Sequence, residues 1–435
     1  MNRNDVKKRL KILAGEGDTI MEMMGAGCET RPQWAQMLQG PLERACDVGN
    51  TGLVTKLVLA GARVTEKSFN NTATRGKWDT LLELLSRTRK EDLDKISLVQ
   101  ALCLSIAKKQ NRVARAFLDT GAVKKLGNAL ILAVRNAGDD SSEKMLGHLL
   151  DHPGAADVID WFGHGMDNPL NIAARRGRHQ LCFMLLVRGA NVNAQRTSSE
   201  PTALHNAVAI SRDLRTVQVL LQAGANPNVP CGIGGRTTVH TACQQGDSCA
   251  GILGALFESG ADVKASDDRR ITPLHIACGV SPTCPLIIRL LVAAGANINA
   301  KKMGGRTPLH SAAGHVRVEA LKTLLWHGAD ETIAANSGKT PRDVVGDRKT
   351  LLSGQTLVDA KRIYELLDRA PAERAWKRRS CIVLCRARAT STTAETAPTR
   401  KVRRSPRLSS GNFDGFGGIL REVSDDVFRK IVGYL

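Results

Sequence analysis

The chain has 435 residues, 62 Lys and Arg against 42 Asp and Glu, a formal net charge of +20 and only 3% aromatic residues. That length suits two ordinary domains or one extended array, and so few aromatics argue against an ordinary globular enzyme. The 11 cysteines lack regular pairing, no signal-peptide core is present, and no apolar run approaches the ~18–20 residues of a spanning helix, so the expectation is a cytoplasmic and/or nuclear chain with no membrane insertion.

Residues 1–40 read as a helical leader or cap, broken around Gly25-Ala26-Gly27. Its first residues, Met1 to Leu13, are basic and mildly amphipathic, but Asp5 and Glu16 disfavour a mitochondrial presequence. Residues 41–166 hold about four weakly similar units. Each is an Ala-rich stretch followed by an apolar run, as in Ala45-Cys46-Asp47-Val48-Gly49-Asn50 before Leu57-Val58-Leu59-Ala60-Gly61-Ala62. Their closing glycines Gly121 and Gly154 lead on to Gly189 in steps of 33 and 35.

Residues 167–345 repeat clearly. Thr272-Pro273-Leu274-His275 and Thr307-Pro308-Leu309-His310 have looser copies at Thr202-Ala203-Leu204-His205 and Thr237-Thr238-Val239-His240, so four histidines follow one another at 35-residue steps. Gly189-Ala190-Asn191, Gly224-Ala225-Asn226, Gly260-Ala261-Asp262, Gly295-Ala296-Asn297 and Gly328-Ala329-Asp330 recur between them. Threonine suits a helix N-cap, and proline the first helical position, where its missing donor costs nothing. Leucine and the alanine three residues on share an inward face, and glycine ends the second helix in left-handed geometry. Each unit therefore reads as helix, turn, helix and projecting finger. None can bury its apolar face alone, so the units must stack.

Residues 346–385 are expected to hold a capping helix, Val358 to Ala370, then the basic Trp376-Lys377-Arg378-Arg379 and the apolar Cys381-Ile382-Val383-Leu384-Cys385. Residues 386–412 are Ser/Thr/Ala/Pro/Arg-rich and aperiodic, which predicts a disordered basic linker. Half the net charge is concentrated here: residues 361–410 carry 14 Lys and Arg against 4 Asp and Glu. Lys377, Arg378 and Arg379 with Lys401, Arg403, Arg404 and Arg407 could form a split nuclear localisation signal, a nucleic-acid-touching arm or a solvated linker. No aromatics interleave with them, which disfavours a nucleic-acid partner. Residues 413–435 predict an amphipathic C-terminal helix with a docking face of Val427, Phe428, Ile431, Val432 and Leu435, set against the chain's own last repeats or a partner.

A period near 33–35 with the Thr-Pro-Leu-His and Gly-Ala-Asn/Asp wording resembles the ankyrin repeat. The resemblance implies an all-α fold, an α-solenoid of about nine or ten stacked helix-turn-helix repeats over about residues 41–370 with short β-hairpin-like finger loops. The extra residues of the 35-residue steps are expected between the paired helices. It implies that the repeat histidines bridge neighbouring turns by hydrogen bonds. It also implies a non-enzymatic scaffold or adaptor whose concave face, of fingers and first helices, binds another protein, with no cofactor and no small-molecule substrate. The residues expected on that face are Arg175, Arg176, Arg178, Arg196, Arg212, Gln244, Gln245, Asp268, Arg269, Arg270, Lys301, Lys302, Met303, His315 and Arg317. Most are cationic, so a partner with an acidic segment is expected. Asp425 to Leu435 further resembles the opening half of an F-box, with Val423-Ser424 in place of that family's Leu-Pro, which gives the alternative of a ubiquitin-ligase substrate receptor.

Competing chemistries are weak. Ser337-Gly338-Lys339-Thr340 imitates the end of a phosphate loop, but Ile333 stands where that loop needs glycine, and the slot matches the repeat turn. Equivalent histidines of stacked repeats lie roughly 10 Å apart, too far to share a metal at ~2 Å. Cys381 and Cys385 have no second ligand pair nearby, and Cys103, Cys243 and Cys278 are expected as small core residues.

Overall fold

The structure, a computed structural model, describes residues 32–394 except 164–166, 233, 281–284 and 349–353, with side chains from 38 to 374. The fold divides into two compact units after Asn226. Within each unit, helix pairs stack side by side.

In the first unit the helices are α1 (Pro32–Val48), α2 (Thr51–Leu59), α3 (Glu66–Thr74), α4 (Trp78–Arg87), the single turn α5 (Lys90–Leu93), α6 (Val99–Ala107), α7 (Asn111–Asp119), α8 (Gly127–Asn136) and α9 (Asp140–Asp151). They continue with α10 (Pro169–Arg175), α11 (His179–Val187), α12 (Ala203–Asn206) and α13 (Leu214–Gln222). The first helices α1, α3, α6, α8, α10 and α12 pack in sequence as one layer, and α2, α4, α7, α9, α11 and α13 as the second. Residues 32–151 contribute four helix pairs, and α1, the first of them, holds Pro41 inside it.

The second unit contains α14 (Thr238–Gln245), α15 (Ala250–Glu258), α16 (Pro273–Gly279), α17 (Pro285–Ala293), α18 (Pro308–Gly314), α19 (Val318–Trp326), α20 (Pro341–Arg348) and α21 (Gln355–Ala394). Here α14, α16, α18 and α20 form the first layer, and α15, α17, α19 and α21 the second. The closing helix is longer than expected. It reaches Ala394, so residues 386–394, assigned to the linker, are helical. Residues 372–390 hold four Ala and five Arg, strong helix formers, and no Gly or Pro. Ala360, Ile363, Leu367 and Ala370 bury one face of α21, while Leu366 is only half-buried. Arg374 ties the helix to Asp330 at 3.5 Å and to Glu331. Lys377, Arg378 and Arg379 lie on the far part of α21. Residues 395–412, with Lys401, Arg403, Arg404 and Arg407, and the C-terminal docking face from Val427 to Leu435 lie outside the described residues.

The core is aliphatic, drawn from the facing stripes of the two layers, with a rare aromatic pair in Phe69 and Phe117, edge-to-face at 6.0 Å. Cys243 and Cys278 are fully buried as expected, and burial pushes the Cys278 thiol pKa up. Cys103 departs from the expectation: it sits on the flank of α6 and is only half-buried.

The Gly-Ala wording has a geometric cause. Gly61, Gly189, Gly224, Gly260, Gly295 and Gly328 all take φ between +80° and +91°. The following alanine then donates its N–H to the carbonyl five residues back, as from Ala190 to Leu185 at 3.1 Å and from Ala296 to Leu291 at 2.9 Å. This closure satisfies an orphan carbonyl at the helix end. The extra residues of the 35-residue steps lie between paired helices, as expected: a π turn at Ala207–Ser211 and a 3-10 turn at Asp247–Cys249.

Candidate interaction surface

The repeat histidine is a clip. In the second unit its Nδ1 accepts the backbone N–H of the capping threonine: Thr237 to His240 at 3.2 Å, Thr272 to His275 at 3.3 Å, and Thr307 to His310 at 3.1 Å. Nδ1 therefore carries no proton, and Nε2–H donates to the next repeat. It reaches the carbonyl of Ile271 from His240 at 2.9 Å, of Arg306 from His275 at 3.0 Å, and of Lys339 from His310 at 3.0 Å. Each imidazole is neutral and fixed in one tautomer. Burial pushes all three pKa values down against the backbone bond that raises them, His275 to about 4. In the first unit Thr202 Oγ1 lies 2.8 Å from His205 Nδ1.

The clips hold the finger bases. Each finger of the second unit is a tight hairpin closed by a backbone bond: Cys231 with Arg236, then Asp267 N–H to Ile271 at 3.0 Å, Lys302 to Arg306 at 3.0 Å, and Ala335 to Lys339 at 2.9 Å. Ser337-Gly338-Lys339-Thr340 is the last of these turns. Its Thr340 caps α20 through Asp343, not a phosphate loop. Neighbouring tips join by further backbone bonds, from Asp268 to Gly234 at 2.9 Å, Met303 to Arg269 at 3.0 Å, and Asn336 to Gly304 at 2.9 Å. The fingers are thus short hairpin-like loops laced into a row. On the opposite side of each loop, asparagines bridge repeats. Asn228 donates to Gly260 at 3.0 Å and accepts from Asp262 at 2.8 Å, and in the first unit Asn193 does the same with Gly224 and Asn226.

The candidate residues fall into two settings. Arg196 lies in a finger of the first unit, exposed and 3.3 Å from Glu200. Asp268, Arg269, Arg270, Lys301 and Met303 are exposed on the laced fingers of the second unit, Met303 at 63%, and Lys302 is half-buried at a finger base. The others sit at the ends of first helices. Arg175 is half-buried and pairs with Asp167 at 2.8 Å, Arg176 donates to the Arg135 carbonyl, and Arg178 is exposed ahead of α11. Arg212 is exposed at φ +53° after the π turn. Gln244 and His315 are exposed, and Gln245 and Arg317 are half-buried. Arg269, Arg270 and Lys301 have no carboxylate within ion-pair distance among the described residues. Arg306 and Ser311 were not anticipated, although Gly305-Arg306-Thr307 repeats the wording of Gly235-Arg236-Thr237 and could have drawn notice. They line a cleft of about 150 Å³ with Lys302, His310, Gly314, His315, Val344 and Asp347. Among the described residues no group of His, Cys, Asp and Glu is arranged to hold a metal ion, and no helix is long and apolar enough to cross a membrane.

A model of the family described as ankyrin repeats (3 copies) matches residues 170–267 and 240–335. Relatives include an ankyrin repeat protein of fowlpox virus (strain NVSL), 39% identical over 111 residues, 24% of this chain and 31% of that protein. Ankyrin repeat and SOCS box protein 11 of Danio rerio is 36% identical over 26% of this chain and 36% of its own length. E3 ubiquitin-protein ligase KEG of Arabidopsis thaliana is 36% identical over 22% of this chain and 6% of its own length. The chain thus spans about a third or less of the length of these relatives. Among solved structures, the ankyrin repeat domain of Bcl-3 aligns with a TM-score of 0.41 at 22% identity, covering 60% of this chain and 97% of that one. Ankyrin repeats are protein-interaction modules, and residues 170–335 of this chain are ankyrin repeats by sequence, built in the structure as stacked helix pairs.

Proposed function

We propose that the chain is a non-enzymatic adaptor that binds a partner protein through the fingers and first helices of its repeats, and that the partner presents an acidic segment. The observation that carries this reading is the laced finger row of the second unit. Arg269, Arg270 and Lys301 are exposed there with no carboxylate within ion-pair distance among the described residues, and Met303 stands out beside them as an apolar anchor. A surface held rigid by backbone bonds loses little entropy on binding, and unpaired cations steer and select an anionic partner. Proximity labelling with the full chain, compared with a Arg269→Glu/Lys301→Glu variant, tests it. Partners enriched by the wild type and lost from the variant support the reading, and an identical set from both removes it.

The ubiquitin-ligase alternative draws support from the names of two relatives, one a SOCS box protein and one an E3 ligase. It requires Phe428 and Ile431 to recruit a ligase subunit. Phe428→Ala with Ile431→Ala should then remove a ligase scaffold from the co-purifying proteins while leaving other partners bound. Nuclear entry through the basic residues from Lys377 to Arg407 is a separate proposal. A tagged chain lacking residues 395–412 that distributes like the intact chain would dismiss it.

A further inference from the structure

The finger bases of the second unit differ in charge at equivalent positions. In successive hairpins the first closing residue is Cys231, Asp267, Lys302 and Ala335, and the residue before the capping threonine is Arg236, Ile271, Arg306 and Lys339. Where the pattern is complete, Arg236 Nε reaches Asp267 Oδ2 at 3.3 Å in the next finger. That carboxylate, only 6% exposed, also accepts the backbone N–H groups of Arg269 at 2.9 Å and Ile271 at 2.8 Å. One finger further on, the carboxylate slot holds a lysine, Lys302. Two fingers on, where Arg306 would find its acid, stands Ala335.

Two cations are therefore left together at one cleft. Lys302 Nζ has a single hydrogen-bond partner among the described residues, the Ser311 hydroxyl at 3.3 Å, and no carboxylate within ion-pair distance. The Arg306 guanidinium has no hydrogen-bond or ion-pair partner among them. The acid in the cleft wall, Asp347, is already engaged by Lys339 at 2.6 Å. His310 is committed to the Lys339 carbonyl and stays neutral. Burial, and then the nearby Arg306, push the Lys302 pKa down against the opposing pull of the Asp267 carboxylate.

We infer that this cleft seats an oxyanion carried by an extended partner peptide, a carboxylate or a phosphate monoester, which takes the place the Asp267 carboxylate fills one finger earlier. Lys302 and Arg306 are its ligands, and the Ser311 hydroxyl a further donor. This rests on the adaptor reading above and names the chemistry that one part of its surface selects.

The test is an amide-resolved NMR titration of the full chain with short neutral peptides carrying one central glutamate, phosphoserine or serine, and with inorganic phosphate. Saturable shifts at residues 302–314 are expected with the glutamate and phosphoserine peptides and not with the serine peptide. Lys302→Gln with Arg306→Gln should weaken that binding at least about tenfold, as loss of charge-assisted bonds does, and Lys322→Gln, on the second-layer helix α19, should leave it unchanged. Ala335→Asp, which restores the missing acid beside Arg306, should weaken it too, by occupying the ligand from within. The relative strength of the two anionic peptides assigns carboxylate or phosphate. Inorganic phosphate binding as tightly as the phosphoserine peptide would overturn the peptide assignment. Absence of saturable shifts at 302–314, or shifts undiminished in the double variant, would overturn the site itself. Partner labelling that persists in the double variant under those conditions would leave the adaptor reading standing.

Discussion

His275→Ala should loosen the repeats on both sides of it by about 2–4 kcal/mol. The imidazole is 3% exposed and joins two repeats: Nδ1 accepts from Thr272, and Nε2–H donates to Arg306. A hydrogen bond contributes about 0.5–1.5 kcal/mol net, and a buried group left without a partner costs about 1–3 kcal/mol. Alanine removes both bonds and strands the buried Thr272 N–H, while the Arg306 carbonyl keeps only the Lys302 N–H of its own hairpin. Because coupling in repeat stacks runs between neighbours, the loss should concentrate in the helices Pro273–Gly279 and Pro308–Gly314. Native-state hydrogen exchange of their amides resolves it. Protection there should fall about 30- to 1,000-fold, the factor corresponding to 2–4 kcal/mol, while amides in residues 99–151 keep theirs. A change below threefold in both helices would refute the clip.

Other consequences follow from the same geometry. Leu274→Ala, at a side chain 1% exposed, should cost about 2–5 kcal/mol, read as a lowered midpoint in thermal unfolding. Gly305→Ala should cost about 1–3 kcal/mol, since Gly305 sits at φ +72° and a Cβ would come within 2.8 Å of the Asn336 backbone nitrogen; an unchanged urea midpoint would contradict it. Stability should rise with pH between about 4 and 6.5. His240, His275 and His310 have folded pKa values below the model-peptide value, so the unfolded chain binds more protons in that window; their contribution is complete above 6.5 and lost as pH falls. Urea midpoints at pH 5 and 7.5 check the sign, and the His275→Ala chain should show a weaker dependence.

The repeat was legible because its wording is local. Thr-Pro-Leu-His encodes a cap and a helix start, and Gly-Ala encodes a helix stop, so each can be read without its neighbours. The earlier pairs were legible only through apolar spacing, since their first helices lack the Thr-Pro-Leu-His opening: Thr65 is followed by Ser68 where the later repeats have histidine, and Leu98 and Leu126 stand at the cap positions of α6 and α8. The reach of α21 to Ala394 was not legible, because the Ser/Thr/Ala-rich end that suggested a linker also contains good helix formers. The cleft was half legible. Lys302 was named for its charge, but that charge matters because Ala335, 33 positions later, fails to supply an acid to Arg306. Such a relation exists only once the fingers are aligned in space.

The central claim is that the cationic finger row of the second unit recognises a partner protein. Its most direct measurement is the affinity of the full chain for a partner identified by proximity labelling, before and after Arg269→Glu, Lys301→Glu and Lys302→Glu are introduced together, at two salt concentrations. Binding should weaken with salt for the wild type and be lost in the triple variant, with unfolding behaviour retained. Equal affinity in both chains, independent of salt, would contradict it.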